Sequence, residues 1–173
     1  DHARGAVAAA QSTGGIYAFT GAPHSVANPA LMVQPATNDF TPGSITLRIQ
    51  NNGSSPITQF EISYDLFVRN DQERASSFNF SWSTNNSTYN TVSALDYTSI
   101  EASDGLGWVQ VGTSPSRLTI IGSQNIAPGA FFYIRWTSND VSGSGARDEL
   151  GLDNINVKAT YGAPCTPPSY SAS

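Results

Sequence analysis

From Phe60 to Val68 every second residue is large and apolar: Phe60, Ile62, Tyr64, Leu66 and Val68. Gln59, Glu61, Ser63, Asp65 and Arg69 take the opposite parity. A sustained apolar row at a period of two fits a strand with one face in a core, and fits helical spacing badly. Such a strand needs partners along its edges and a second layer over its apolar side. This segment commits the chain to a β architecture.

The remaining strand signals agree. Ile16 to Thr20 is a short candidate, and Ile45, Leu47 and Ile49 alternate with Thr46 and Arg48 after the turn at Thr41-Pro42-Gly43. Phe78, Phe80 and Trp82 alternate with Asn79, Ser81 and Ser83. Further candidates are Tyr89 to Val92, Trp108 to Val111 and Leu118 to Gly122. Gly21 to Pro35, broken by Pro23, Pro29 and Pro35, reads as loop, and Asn70 to Ser76 as a charged loop. Ala6 to Gln11 is compatible with helix but too short to hold one alone.

The stretch FFYIRWTSNDVSGSGARDELGLDNINV, Phe131 to Val157, reads as a closing hairpin around a polar, glycine-rich loop. Its first arm sets Phe131, Tyr133 and Arg135 on one face and Phe132, Ile134 and Trp136 on the other. In the second arm Leu150 and Leu152 hold one parity, and Ile155, Val157 and Ala159 the opposite one. A period of two changes parity only with an extra residue, so a β-bulge is expected at Asp153-Asn154. The pattern predicts an all-β fold of about eight to ten strands, an antiparallel two-sheet β-sandwich with a jelly-roll-like topology. Residues 1–161 form the domain, with 1–15 as an N-terminal arm, and 162–173 form a Pro/Ser-rich, linker-like tail.

Composition narrows the function classes. Net charge is −5 and Lys158 is the single lysine, so a nucleic-acid footprint is absent. No apolar run reaches the length needed to span a bilayer, so membrane insertion is not expected. The single cysteine, Cys165, excludes an internal disulfide and a cysteine-based zinc site. It reads as an unpaired thiol in the tail, or as one that pairs with a cysteine elsewhere. His2 and His24 are the only imidazoles, and both read as surface loop residues. There is no G-x-S-x-G elbow, no H-E-x-x-H and no phosphate loop. Glu61 and Asp65 share a strand face, but their α-carbons lie about 13 Å apart. Glycoside hydrolysis needs two carboxyl groups roughly 5–9 Å apart. No catalytic residue is expected.

Two kinds of binding site remain. Asp140, Asp148, Glu149, Asp153 and Asn154 could supply the oxygen ligands of a structural calcium ion if the loop folds back on the bulge. Their spacing matches no EF-hand loop, and Arg135 and Arg147 could instead neutralise the same acids. For glycan binding, Tyr89, Tyr97 and Trp108 are candidate aromatic platforms, with Asn85, Asn86 and Asn90 nearby in sequence. Trp82, in phase with Phe78 and Phe80, reads as core.

The blocks NDFTPGSITLRIQN, FEISYDLFVRNDQERASSFNFSWSTNNSTYNTVSALDYTS, GWVQV, IAPGAFFYIRW and NDVSGSGARDELGLDNINV carry a family likeness. Over about Gly14 to Val157 the chain resembles the accessory β-sandwich modules of secreted and cell-surface proteins of Bacteroidota and cyanobacteria. The resemblance implies a secreted, extracellular, non-catalytic binding or adhesion module at the cell surface. Its partner would be a surface polysaccharide or a protein, self-association included. The closing GLDNINV is also similar to the last strand of several carbohydrate-binding sandwiches, some of which hold structural calcium. Two alternatives follow: a carbohydrate-binding module with structural calcium, and a subunit of an extracellular filament joined by β-augmentation.

Overall fold

Twelve strands stack as two sheets in the computed structural model, which describes residues 3–163. In chain order they are β1 (Ala3–Val7), β2 (Gly15–Phe19), β3 (Ala30–Gln34), β4 (Gly43–Gln50), β5 (Ile57–Arg69) and β6 (Arg74–Ser83). After these come β7 (Asn90–Thr91), β8 (Tyr97–Thr98), β9 (Val109–Gln110), β10 (Arg117–Ile121), β11 (Phe131–Gly143) and β12 (Glu149–Tyr161). The larger sheet runs β1-β2-β3-β12-β5-β10, with β9 also pairing β5. The smaller runs β4-β11-β6-β7, with β8 also pairing β6. All pairs are antiparallel except β1 with β2, which is parallel. The fold is the expected jelly-roll-like β-sandwich. Cys165 and His2 lie outside the described residues.

β5 lies between β12 and the edge strands β10 and β9 of the larger sheet, and its whole apolar row is buried: Phe60, Ile62, Tyr64, Leu66 and Val68. That row meets Phe132, Ile134 and Trp136 of β11 and Phe78 and Phe80 of β6, which share one core with it. Phe60 stacks on Phe132 at 4.1 Å, and Tyr64 meets Trp136 edge-on at 5.3 Å. Burying large aromatic surfaces in this way is the main favourable contribution to folding.

The bulge falls where the parity change places it. Asp153 pairs with Asp65, and the ladder resumes at Asn156 opposite Ser63, so β12 spends one extra residue. Asn154 absorbs the bend at φ 50°, a left-handed conformation that Asn tolerates better than most residues.

Four readings change. The stretch from Phe131 to Val157 is not a hairpin: β11 pairs with β4 and β6, whereas β12 pairs with β3 and β5 in the other sheet. A glycine-rich loop between two strands serves a crossover between layers as well as a tight return. The proline-broken segment holds β3, because Pro29 and Pro35 flank ALMVQ and leave its amides free to pair on both edges. Thirdly, β6 begins at Arg74, inside the expected charged loop, with Ala75, Ser76 and Ser77 already buried. Ala6 lies in β1, paired with Ala18, so the stretch compatible with helix begins as strand.

Candidate functional site

The five oxygen-bearing residues of the expected calcium site do not converge. Because β11 and β12 part into different sheets, the loop between them does not close over the bulge. Asp140 is held by Arg147 and Arg74, each with a nitrogen 2.6 Å from Oδ2. Burial alone would raise its pKa, but those two guanidinium groups outweigh it and hold the carboxyl below the usual range. Asp148 is buried and accepts hydrogen bonds from the Ser99 hydroxyl and the Gln72 amide. Glu149, also buried, accepts from the Gln11 amide at 2.8 Å. Asp153 faces His24 Nδ1 at 3.4 Å, and Asn154 Nδ2 donates to Asp65. Among the described residues no group of three or more His, Cys, Asp or Glu is placed to hold a metal ion.

Asp65, the strand-face carboxylate beside Glu61, is a clamp. It is 2% exposed and accepts from Asn154 Nδ2, Ser114 Oγ, the Ser116 amide and Gln110 Nε2. Burial pushes its pKa up, yet these donors win and hold it below the ordinary value. The carboxylate thereby ties the bulge of β12 to the 110–116 loop. Every oxygen is committed, which leaves it no role as an acid or base.

The aromatic candidates separate into surface and core. Trp108 is 9% exposed and packs with Tyr17, Phe19, Met32 and Phe67 in a second cluster on the outer side of the larger sheet. It is a core residue, because Phe67 breaks the polar row of β5 and needs a cover. Tyr97 is half-buried against the main core, and burial raises the pKa of its phenol. Trp82, also half-buried, stacks on Phe132. Tyr89 is the one of the three that reaches an open surface.

That surface is the outer face of the smaller sheet. In β11, Phe132, Ile134, Trp136 and Ser138 are buried, so Phe131, Tyr133, Arg135 and Thr137 point outward. The register sets Tyr133 between Arg48 and Ser83, Arg135 between Thr46 and Ser81, and Thr137 between Ser44 and Asn79. Arg48 lies over the Phe131 ring at 4.7 Å, and Phe131 and Tyr133 have centroids 6.4 Å apart. Arg135 lies over the Tyr89 ring at 3.7 Å, with Nε donating to Thr46 Oγ1 at 2.9 Å and Nη2 to Asn86 Oδ1 at 3.4 Å. The Tyr89 hydroxyl also donates to Asn86 Oδ1.

The turn carrying Tyr89 is closed by short polar side chains. Ser83 Oγ accepts from the amides of Asn85 and Asn86, and Asn85 Oδ1 accepts from those of Ser87 and Thr88. Asn86 itself takes φ 59°. Local side-chain bonds of this kind fix a turn without secondary structure. The result is a row of rings and guanidinium groups set among hydroxyls and amides. Such a surface can stack flat apolar faces and donate hydrogen bonds beside them.

Phe131, Tyr133, Arg48 and Arg135 stand on this face but are not among the candidates the sequence offers, although the β11 alternation sets three of them on one side. Both β11 faces carry aromatics, so the pattern alone did not say which was outside. A cleft of about 370 Å³ beside β1, β2 and β3 is lined by Ala3, Ile16, Ala18, Pro29 and Leu31 among others. It offers few polar groups.

No protein-family model matches the chain, and no curated protein matches it. Its structural neighbours are carbohydrate-binding modules. The module TmCBM61, solved in complex with β-1,4-galactotriose, shares 10% identity over 76% of this chain and 71% of that one, with a TM-score of 0.41. CBM28, a carbohydrate-binding module specific for non-crystalline cellulose, shares 15% over 82% and 80%, with a TM-score of 0.46. The CBM22-1 xylan-binding domain of Paenibacillus barcinonensis Xyn10C shares 14% over 88% and 86%, with a TM-score of 0.44.

Proposed function

We propose that the chain is a non-catalytic, extracellular glycan-binding module whose binding face is the outer surface of the smaller sheet. One observation carries this reading: Tyr133 turns its ring outward on the same face as two arginine-capped rings, Phe131 and Tyr89, amid outward Ser, Thr and Asn side chains from β4, β6 and β11. Sugar rings offer apolar C–H faces edged by hydroxyls, so they match a surface that combines aromatic planes with hydrogen-bonding groups. The strands hold the rings in place before any ligand arrives, which lowers the ordering cost of binding. Asp65, in the other sheet, and Asp140, at the far end of β11, are taken up by structural bonds, which supports binding without turnover.

Calorimetric titration of a polysaccharide panel against the wild type and Tyr133→Ala tests the proposal. Tyr133 points outward, so its loss is expected to leave the melting temperature nearly unchanged. Affinity for whichever glycan binds is expected to fall by about tenfold, or about 1.4 kcal/mol. Undiminished affinity in Tyr133→Ala and Tyr89→Ala alike would remove the face from the account.

A further inference from the structure

We infer that the polysaccharide this face takes is anionic, with carboxylate or sulfate groups received by Arg48 and Arg135; the inference rests on the glycan reading above. The chain has 13 acidic and 8 basic residues, so unneutralised positive charge is scarce in it. Three arginines are committed to acids: Arg69 to Asp71, and Arg74 and Arg147 to Asp140. Among the described residues, no ion pair joins Arg48 or Arg135 to a carboxylate. Both lie over rings instead. None of the outward positions of β4, β6 and β11 holds Asp or Glu. An acidic chain has therefore kept one sheet face free of acids and set two cations on it.

Geometry sharpens the point. A guanidinium lying on a ring keeps its N–H donors at its rim, directed along the surface, where they meet a bound anion edge-on. Arg135 spends Nε on Thr46 and Nη2 on Asn86, which leaves Nη1 uncommitted. Arg48 stands opposite Tyr133, and Arg135 follows two residues later on the neighbouring strand. That diagonal separates their α-carbons by about 7–8 Å, with Tyr133 directly opposite Arg48 and two residues before Arg135. A sugar stacked on Tyr133 would have a cation on either side for its charged substituents. Charge-assisted bonds to Arg are roughly twice as strong as neutral ones, so charged sugars gain where neutral ones do not.

The test titrates the protein with polygalacturonate, a sulfated galactan, a neutral galactan and poly-glutamate, at low and at high salt. At least one charged glycan is expected to bind at least about tenfold more tightly than the neutral galactan, with the advantage shrinking as salt rises. The carboxylate and sulfate arms show which anion is read. Arg48→Gln with Arg135→Gln is expected to abolish the advantage, and Arg48→Lys with Arg135→Lys to retain part of it. Neutral and charged glycans binding alike, unchanged by the glutamine pair, would overturn the inference and leave the glycan reading standing. Poly-glutamate binding as tightly as the charged glycans would overturn it by showing a general polyanion face. Binding to none of the four would overturn it, and binding to no glycan in the wider panel would remove the parent reading too.

Discussion

Phe132→Ala is expected to lower the unfolding free energy by about 3–5 kcal/mol, while Phe131→Ala, one residue earlier on the same strand, is expected to cost under about 1 kcal/mol. Phe132 has no exposed surface. Its ring stacks on Phe60 of the opposite sheet at 4.1 Å and on Trp82 of the neighbouring strand at 5.6 Å. Truncation removes the transfer contribution of the ring and leaves a cavity between two strands too well paired to close over it. Domains of this size are stable by about 5–15 kcal/mol, so the change takes a large share of the total. Phe131 loses only its contact with Arg48 and Tyr133 on the open face. Urea unfolding of both variants measures the contrast. Equal destabilisation would mean that the inward and outward sides of β11 are assigned wrongly, and the binding face with them.

Stability is expected to fall by several kcal/mol as pH rises from about 5 to about 8, through Asp148 and Glu149. Burial lifts Asp148 from 3.8 to about 6, against the opposing bonds from Ser99 and the Gln72 amide. Burial likewise lifts Glu149 from 4.5 to about 7, against the Gln11 amide and the charge of Arg69. Both carboxyls hold a proton more tightly in the folded chain than in the unfolded one. Their contribution is therefore fully present below the unfolded pKa values, and is lost as pH climbs through the folded ones. Each shift corresponds to about 3 kcal/mol, and the two do not add simply because the groups are adjacent. Asp65 and Asp140, whose pKa values are lowered, act in the opposite sense and lose their contribution in strong acid. The stability maximum is expected in the mildly acidic range. Glu149→Gln keeps an acceptor for the Gln11 amide without the charge, so at about pH 8 it should exceed the wild type by up to about 3 kcal/mol. Equal urea midpoints at the two pH values in the wild type would contradict this.

Much of the fold was legible because burial writes itself into period two. The β5 row marks a strand with one face in the core, and the parity switch between Leu152 and Ile155 places the bulge. Alternation says nothing about which sheet a strand joins, so the crossing from β11 to β12 looked like a hairpin. Prolines at 29 and 35 looked like breaks, although a proline just outside a strand costs no ladder bond. The site was legible only in part. Tyr89 was singled out, but its partner Arg135 lies far along the chain and is brought to it by the pairing of β6 with β11. Asp140 looked like a metal ligand beside its sequence neighbours, whereas Arg74, 66 residues away, claims it. Trp108 opens a strand candidate too short to say which face is covered, and only the second apolar cluster shows that its ring is covered.

Ligand is expected to meet the outer face of the smaller sheet. Amide chemical-shift mapping with an oligosaccharide of the tightest-binding glycan tests it most directly. The largest changes are predicted at residues 44–50, 79–83, 86–91 and 131–137, with small ones elsewhere. Changes centred instead on the outer side of the larger sheet, around Glu61, Ser63 and Asn156, would contradict it.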